Sequence, residues 1–338
     1  MTTNIIREMQ SAIEDELKSQ VNRINEGSTK IFFEMISYHM GWTGENENEY
    51  SRGKRLRPLL LLLSSSLNGS NQNWRRALPG AAAVELIHNF SLIHDDIEDK
   101  SDKRRNRPTV WVKWGIPQAI NAGDGLYAMS DLAAYDLIEH FPSEIVLKTS
   151  RLLHKTCLNL TRGQYMDMLS EGSDSFSLED YWMMITNKTA ALIAASTEIG
   201  SILAGLEEND QEMYRQFGHY LGLAFQIKDD ILGIWGKEEK TGKSNLNDLV
   251  TRKKTLPVLY GLQQGGNFSN RWREGNIEVN EISDLSVELI KEGGLLFAEE
   301  SAEKLSEMAI KLLQIISRSG EIGDNLFSIV NQLLKRES

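Results

Sequence analysis

The sequence predicts an all-α fold, a single large helical bundle, on three observations. Only six of the 338 residues are proline, with none between Pro142 and Pro257 or after Pro257, whereas a sheet protein of this size spends more prolines on its turns. Apolar residues recur at spacings of three and four almost throughout, as buried helix faces require. A hydrophobic fraction of 41% and a charged fraction of 25% supply a sizeable core and exclude disordered and fibrous classes. No repeat, low-complexity tract or charge block marks a boundary, so residues 1–338 read as one domain of roughly ten or more helices.

Taken in order, the opening MTTNIIREMQSAIEDELK is an acidic amphipathic helix. It has neither the apolar segment of a signal peptide nor the Arg-rich, acid-poor character of a transit peptide. Gly41 to Gly53 is rich in Gly, Asn, Glu and Ser and reads as a loop or mobile insertion. The longest aliphatic run, Leu59 to Leu63, is far short of a membrane span, so the expectation is a soluble cytoplasmic protein with no stable membrane insertion. Ala81 to Ile93 is an apolar helical run. Two long helices are expected after Ser177 with Asp180 and after Asn209 with Glu212, each pair being spaced to cap a first turn. Leu221 to Lys228 follows small residues (Gly218, with Gly222 and Ala224 inside it) that permit close helix packing. Gly265 to Asn280 again reads as a loop, and Ala302, Leu305, Ala309, Leu312 and Ile316 form the buried stripe of a C-terminal helix.

The net charge of −11 opposes binding to nucleic-acid phosphates or anionic lipid. The single cysteine, Cys157, can form neither an internal disulfide nor a thiolate zinc site, which fits a reducing compartment.

Candidate chemistry lies in two acidic clusters and several basic segments. His94-Asp95-Asp96-Ile97-Glu98-Asp99 ends the apolar run. On a helix Asp95 and Asp99 share a face, with Asp96 about 100° to the side. Oxygen ligands without His or Cys suit magnesium better than zinc. Asp229-Asp230 forms a second pair, also at the end of an apolar segment. Taken singly, each cluster also fits a solvated helix end. Against the acidic background stand Lys54-Arg55-Leu56-Arg57-Pro58, Lys103 to Thr109, Lys243, and Arg252 to Pro257. Carboxylates for magnesium and cations for oxyanions are the two halves of a diphosphate site. Pro58, Pro108 and Pro257 each close a basic segment, placing these segments at helix ends.

Together these pieces resemble the trans-isoprenyl diphosphate synthases, or polyprenyl synthetases. The resemblance is carried by GKRLRP at 53–58, ELIHNFSLIHDDIED at 85–99, RRNRPT at 104–109, GQ with Asp167 at 163–167, KTA at 188–190, FQIKDDILG at 225–233, TGK at 241–243 and KKTLP at 253–257. It covers about residues 53–257. It implies an all-helical isoprenoid synthase fold around a central cavity, usually as a homodimer, with three magnesium ions per active site. Asp95, Asp96 and Asp99 would be metal ligands, as would Asp229 supported by Asp230. Arg104, Lys188, Gln226 and Lys243 would contact an allylic diphosphate, with Lys253 nearby and Thr189 beside Lys188. Lys54, Arg57, His88 and Arg105 would bind isopentenyl diphosphate. His88 stands seven residues before Asp95, within about 20° of the same direction on a helix. His94 reads as a core histidine, and Asp124 and Asp167 retain structural readings.

The implied reaction is ionisation of the allylic carbon–oxygen bond, with magnesium, Arg and Lys stabilising the departing diphosphate. The double bond of isopentenyl diphosphate then attacks the cation. Proton loss to the departed diphosphate gives a chain five carbons longer. Phe90, five residues before Asp95, with small Ser91 beside it, resembles the pattern of synthases making geranylgeranyl diphosphate, and farnesyl diphosphate is the near alternative. Three departures stand out. Gly233 occupies the last position of the second motif, where a third Asp often stands. Arg52 replaces a glycine before Gly53, and Asn106 replaces one after Arg105. A terpene cyclase has no need of the isopentenyl diphosphate set, a noncatalytic subunit commonly loses aspartates, and a plain helical interaction protein leaves the ordered motifs unexplained.

Overall fold

The computed structural model describes residues 4–44, 52–67, 73–173, 175–236, 247–275, 277–317 and 320–334. The described chain is helical almost throughout. It groups into two compact units, the first comprising 1–158, 192–218 and 314–327 and the second 159–191, 219–313 and 328–338.

In the first unit, α1 (Asn4–Val21) and α2 (Lys30–His39) precede α3 (Leu56–Ser66) and α4 (Leu78–Glu98). The α1 face Ile6, Met9, Ile13, Leu17 and Val21 is buried, at the spacing its sequence predicts. Leu59 to Leu63 is buried on every side of α3, so this apolar run is core. A short hairpin pairs β1 (Lys103–Arg104) with β2 (Arg107–Pro108) in antiparallel register, Arg104 opposite Arg107. Then follow α5 (Val110–Trp114) and α6 (Ile116–Asp136). Helix α6 packs along α4, with Ala119, Ala122, Ala133 and Ala134 of α6 and Ala81, Ala82 and Ala83 of α4 buried. Small side chains on both helices allow their axes to approach closely.

Arg55 anchors this unit. It is buried and donates to Glu14 at 2.6 Å, Glu85 at 2.9 Å and the Met40 carbonyl at 3.0 Å, joining α1, α4 and the end of α2. Removing one partner of such a buried pair typically costs about 3–5 kcal/mol. The sequence placed Arg55 in a basic segment, and the structure makes it a framework residue.

Helix α7 (Ser143–Gly172) carries the lone Cys157, which is buried. Burial, and then the nearby charge of Asp131, pushes the thiol up to about 11. In the second unit α8 (Leu178–Ile185) starts at the expected capping box: Ser177 Oγ accepts from Asp180 N, and the Asp180 carboxylate accepts from Ser177 N. The long helix expected here is interrupted by a π turn at Thr186–Ala190 before α9 (Ala191–Leu203). Helix α10 (Glu208–Trp235) is long, as expected, but Asn209 lies inside it. Gln211 N bonds the Glu207 carbonyl, and Glu212 pairs with Arg215 instead of closing a cap.

Helices α11 (Asn247–Val250) and α12 (Leu256–Gln264) lead to α13 (Asn267–Arg273), which corrects the loop expected over Gly265 to Asn280. Phe268 and Trp272, four residues apart, bury one face of this polar-looking segment, and Phe268 N donates to Glu292 Oε1 at 3.0 Å. Helices α14 (Ile282–Lys291), α15 (Gly294–Ile316) and α16 (Glu321–Leu334) complete the chain. On α15, Ala302, Ala309 and Ile316 are buried and Leu305 and Leu312 half-buried, as the stripe required. Among the described residues no helix is long and apolar enough to cross a membrane.

Candidate functional site

In the first unit the acidic run forms the last turn of α4. Asp95 is half-buried, Asp96 buried and Asp99 exposed. These carboxylates crowd the negative end of the helix dipole, and no basic residue lies in that turn, so the arrangement favours an external cation. Asp96 is already committed. Arg104 Nε lies 2.9 and 3.0 Å from its two oxygens, and a terminal guanidinium nitrogen lies 2.9 Å from Oδ1. Burial raises the Asp96 pKa, and the pull of Arg104 only partly opposes it.

The hairpin delivers Arg104 and Arg105 through a two-residue turn in which Arg105 (φ 51°) and Asn106 (φ 60°) are both left-handed. Asparagine tolerates that region, which explains how this chain manages without the common glycine at 106. Gly53 is needed on two counts. Its φ is 77°, and a Cβ there would lie 2.7 Å from the Arg105 guanidinium.

His88 and Arg57 are brought together as the motifs implied, with Nε2 3.1 Å from the guanidinium. A guanidinium only donates, so Nε2 accepts and the imidazole proton sits on Nδ1. Burial, then Arg57 and Arg105, holds His88 well below the ordinary histidine range. Lys54 is exposed beside them in the chain. His39 was missed by sequence reasoning, because a lone histidine in an apolar helix carries no signal. It lines a cleft with Asp96, Arg104 and Arg105, and burial and those arginines depress its pKa.

Phe90 is half-buried, its ring 5.2 Å from His94 and 5.3 Å from Tyr127. Ser91 Oγ donates to the His88 carbonyl at 2.8 Å. His94 is not the core histidine expected. It is half-buried, with Nε2 3.7 Å from Asp124.

The second unit gathers a larger set. Lys188, Thr189, Gln226, Asp230, Lys253 and Asp167 line one cleft. The π turn presents Lys188 and Thr189, a common use of π geometry. Lys188 Nζ lies 2.5 Å from Asp167 Oδ2. Burial of Asp167 favours its neutral form, but Lys253 and Lys188 outweigh it and hold the carboxyl below its usual range. Thr189 donates to Gln226 Oε1 at 2.6 Å, and Gln226 Nε2 donates to Asp230 at 2.9 Å. Burial pushes Asp230 up to about 6 against the pull of Lys253, Tyr181 and Gln226. Asp229 is half-buried. Lys254, next to Lys253, is buried and donates to the Ser170 and Ser173 carbonyls at the end of α7, a helix-terminating role. Lys243 lies outside the described residues.

Gly233 has a local reason. A Cβ there would collide with the Asp248 carboxylate, so the residue replacing the third motif aspartate makes room for an acid arriving from α11. Pro58 and Pro257 sit in the first turns of α3 and α12 as expected, and Pro108, the last residue of β2, directly precedes Thr109, the N-cap of α5.

Among the described residues no three acidic, His or Cys groups form a ready metal cage. Magnesium does not require one, because it keeps several waters and binds through one or two carboxylates plus substrate phosphates. The oxygen-only donors at Asp95, Asp99 and Asp229 fit it.

The polyprenyl synthetase family model matches residues 45–286. The (2E,6E)-farnesyl diphosphate synthase of Mycobacterium bovis is 40% identical over 239 residues, covering 70% of this chain and 65% of that protein, just under two thirds of its length. The geranylgeranyl diphosphate synthase of Sulfolobus acidocaldarius is 35% identical over 323 residues, 94% of this chain and 93% of that one. In three dimensions the chain is similar to the polyprenyl synthetase of Streptomyces coelicolor A3(2), with a TM-score of 0.87, 32% identity, and coverage of 98% and 99%.

Proposed function

Because the chain belongs to the polyprenyl synthetase family, we propose that it is a cytoplasmic trans-prenyltransferase. It condenses isopentenyl diphosphate with an allylic diphosphate by 1'-4 chain elongation, with geranylgeranyl diphosphate as main product. The observation that carries the reading is the second-unit cleft, whose described lining gathers Lys188, Lys253, Thr189 and Gln226. Cations and amide donors there suit an anion that departs with its bonding electrons.

In this reading Asp95, Asp99 and Asp229 hold magnesium, three ions in all, and Asp96 sets the orientation of Arg104. When bound, magnesium supplies electrostatic stabilisation to the diphosphate leaving group. Lys188, Lys253, Gln226 and, by motif, Lys243 bind and orient the allylic diphosphate, with Thr189 steadying Gln226. Lys54, Arg57, Arg105 and neutral His88 receive isopentenyl diphosphate. His88 keeps its Nε2 lone pair on Arg57 and so holds that guanidinium in place. The departed diphosphate takes the proton that ends each cycle.

Farnesyl diphosphate is the second reading of product length, favoured by the name of the mycobacterial relative. Phe90 supports a short product, since its packing against His94 and Tyr127 fixes a large ring one turn below Asp95. The working form is a homodimer, supported by exposed apolar residues near both ends of α6: Ile116 and Ile120, and Leu132 and Tyr135.

The test is incubation of the purified chain with isopentenyl diphosphate, magnesium and each of dimethylallyl, geranyl and farnesyl diphosphate. A C20 product is expected. Asp95→Asn and Asp229→Asn are each expected to lower turnover by orders of magnitude with the helical circular dichroism retained. No prenyl product from the wild-type chain overturns the reading, and near-normal turnover at saturating magnesium removes the altered aspartate from it.

A further inference from the structure

Asp230 faces inward, and its hydrogen bonds lie within the second unit. Its Oδ2 accepts from the Tyr181 hydroxyl at 2.6 Å and from Leu256 N at 3.2 Å, while Oδ1 accepts from Gln226 Nε2 at 2.9 Å. An ionised carboxylate has about four acceptor positions, so three are spent inside the protein, and the residue is only 4% exposed. Its neighbour Asp229 is the more open carboxylate of the pair.

Gln226 stands one helical turn before Asp230. A primary amide fits such a site in two orientations related by a flip. Here the donors around the carboxylate set the choice: the Tyr181 hydroxyl and Leu256 N already donate to Asp230, which therefore serves as an acceptor, so the NH2 group turns to it and the carbonyl turns to Thr189, whose hydroxyl donates at 2.6 Å. One Nε2 hydrogen is used in this way. The second remains for an acceptor in the cleft that Gln226 lines with Lys188 and Lys253. In the flipped state the amide oxygen would meet both the Asp230 carboxylate and any anion in the cleft.

We propose that Asp230 is a positioning residue and not a metal ligand: together with Tyr181 it fixes the orientation of the Gln226 amide, whose second Nε2 hydrogen donates to a diphosphate oxygen. The proposal rests on reading the second-unit cleft as a diphosphate site. Tyr181 is thereby tied to substrate recognition, although no sequence motif singled it out.

Two variants of the full chain test this. Asp230→Asn presents an NH2 group to Gln226 and drives the flip; Tyr181→Phe removes one oxygen and leaves every carboxylate in place. Three quantities are measured: affinity for inorganic pyrophosphate by calorimetry without metal, KM and kcat with geranyl diphosphate, and Mn2+ affinity by electron paramagnetic resonance. Asp230→Asn is expected to weaken pyrophosphate binding about tenfold and to raise KM similarly, with Mn2+ affinity unchanged. Tyr181→Phe shifts both in the same direction by less, and the double variant is no worse than Asp230→Asn alone. A loss of Mn2+ affinity in Asp230→Asn with pyrophosphate binding intact overturns the proposal, as do fully additive effects in the double variant. If Asp230→Asn fails to fold, Tyr181→Phe decides, and unchanged pyrophosphate affinity in it is the overturning result. A wild-type chain that binds pyrophosphate but makes no prenyl product defeats the functional reading instead, so the two failures are distinct.

Discussion

At Gly233 one missing side chain makes room for another residue's carboxylate, that of Asp248. Restoring the frequent motif letter is therefore expected to do harm. Gly233→Asp should cost about 1–3 kcal/mol in urea unfolding, as overpacking does, with like-charge repulsion added; equal or greater stability would refute the explanation. Phe90 makes the opposite case, where a large ring is proposed to limit the product. Phe90→Ala is expected to lengthen the product distribution resolved by chromatography, and an unchanged distribution removes Phe90 as the floor. Much of this residue-level picture was legible in the sequence, because Asp95 and Asp99, and His88 with Asp95, are related by helical spacing alone. The commitments of Asp96 and Asp230 were not. Asp230 finds Tyr181 across a separation of 49 residues, and Asp96 finds Arg104 only because the chain, after leaving α4 at Glu98, brings β1 back beside it. Spacing arguments cannot reach partners that tertiary folding supplies.

Among the elements, those written as local chemistry were readable and those set by packing were not. The Ser177 and Asp180 box works as written because both partners lie within one turn. The Asn209 pair fails because the helix begins one residue earlier, at Glu208. The π turn that presents Lys188 and Thr189 carries no compositional mark. Helix α13 hides behind polar residues, yet Arg271 ties it to Glu281, which also closes the capping box before α14. The bonds from Arg271, and then from Glu278 N, hold Glu281 down to about 2. A depressed folded pKa means that this support is complete above the ordinary glutamate value of 4.5 and is lost as pH falls through about 2. Glu281→Gln is accordingly expected to lower the melting temperature at pH 6 and to match the wild type near pH 2. A difference that persists undiminished at pH 2 would show that the ion pair is not its source.

For the whole molecule, the net charge of −11 opposes a nucleic-acid role, while Arg104 and Lys188 are held in place by the carboxylates of Asp96 and Asp167. The exposed apolar residues of α6 belong to this scale, since the second copy proposed above would cover them. Tyr135→Asp, which places a charge among them, is expected to convert a dimer into a monomer by light scattering, and a wild-type monomer at micromolar concentration would remove their assigned partner. One further property belongs to the chain as a whole. Its only thiol, Cys157, is buried and pushed up to a pKa of about 11, so at pH 7 only on the order of one molecule in ten thousand carries a thiolate. The natural protein is thus ready for spectroscopy: a cysteine introduced at an exposed position can take a fluorophore or spin label selectively, with the native background left untouched.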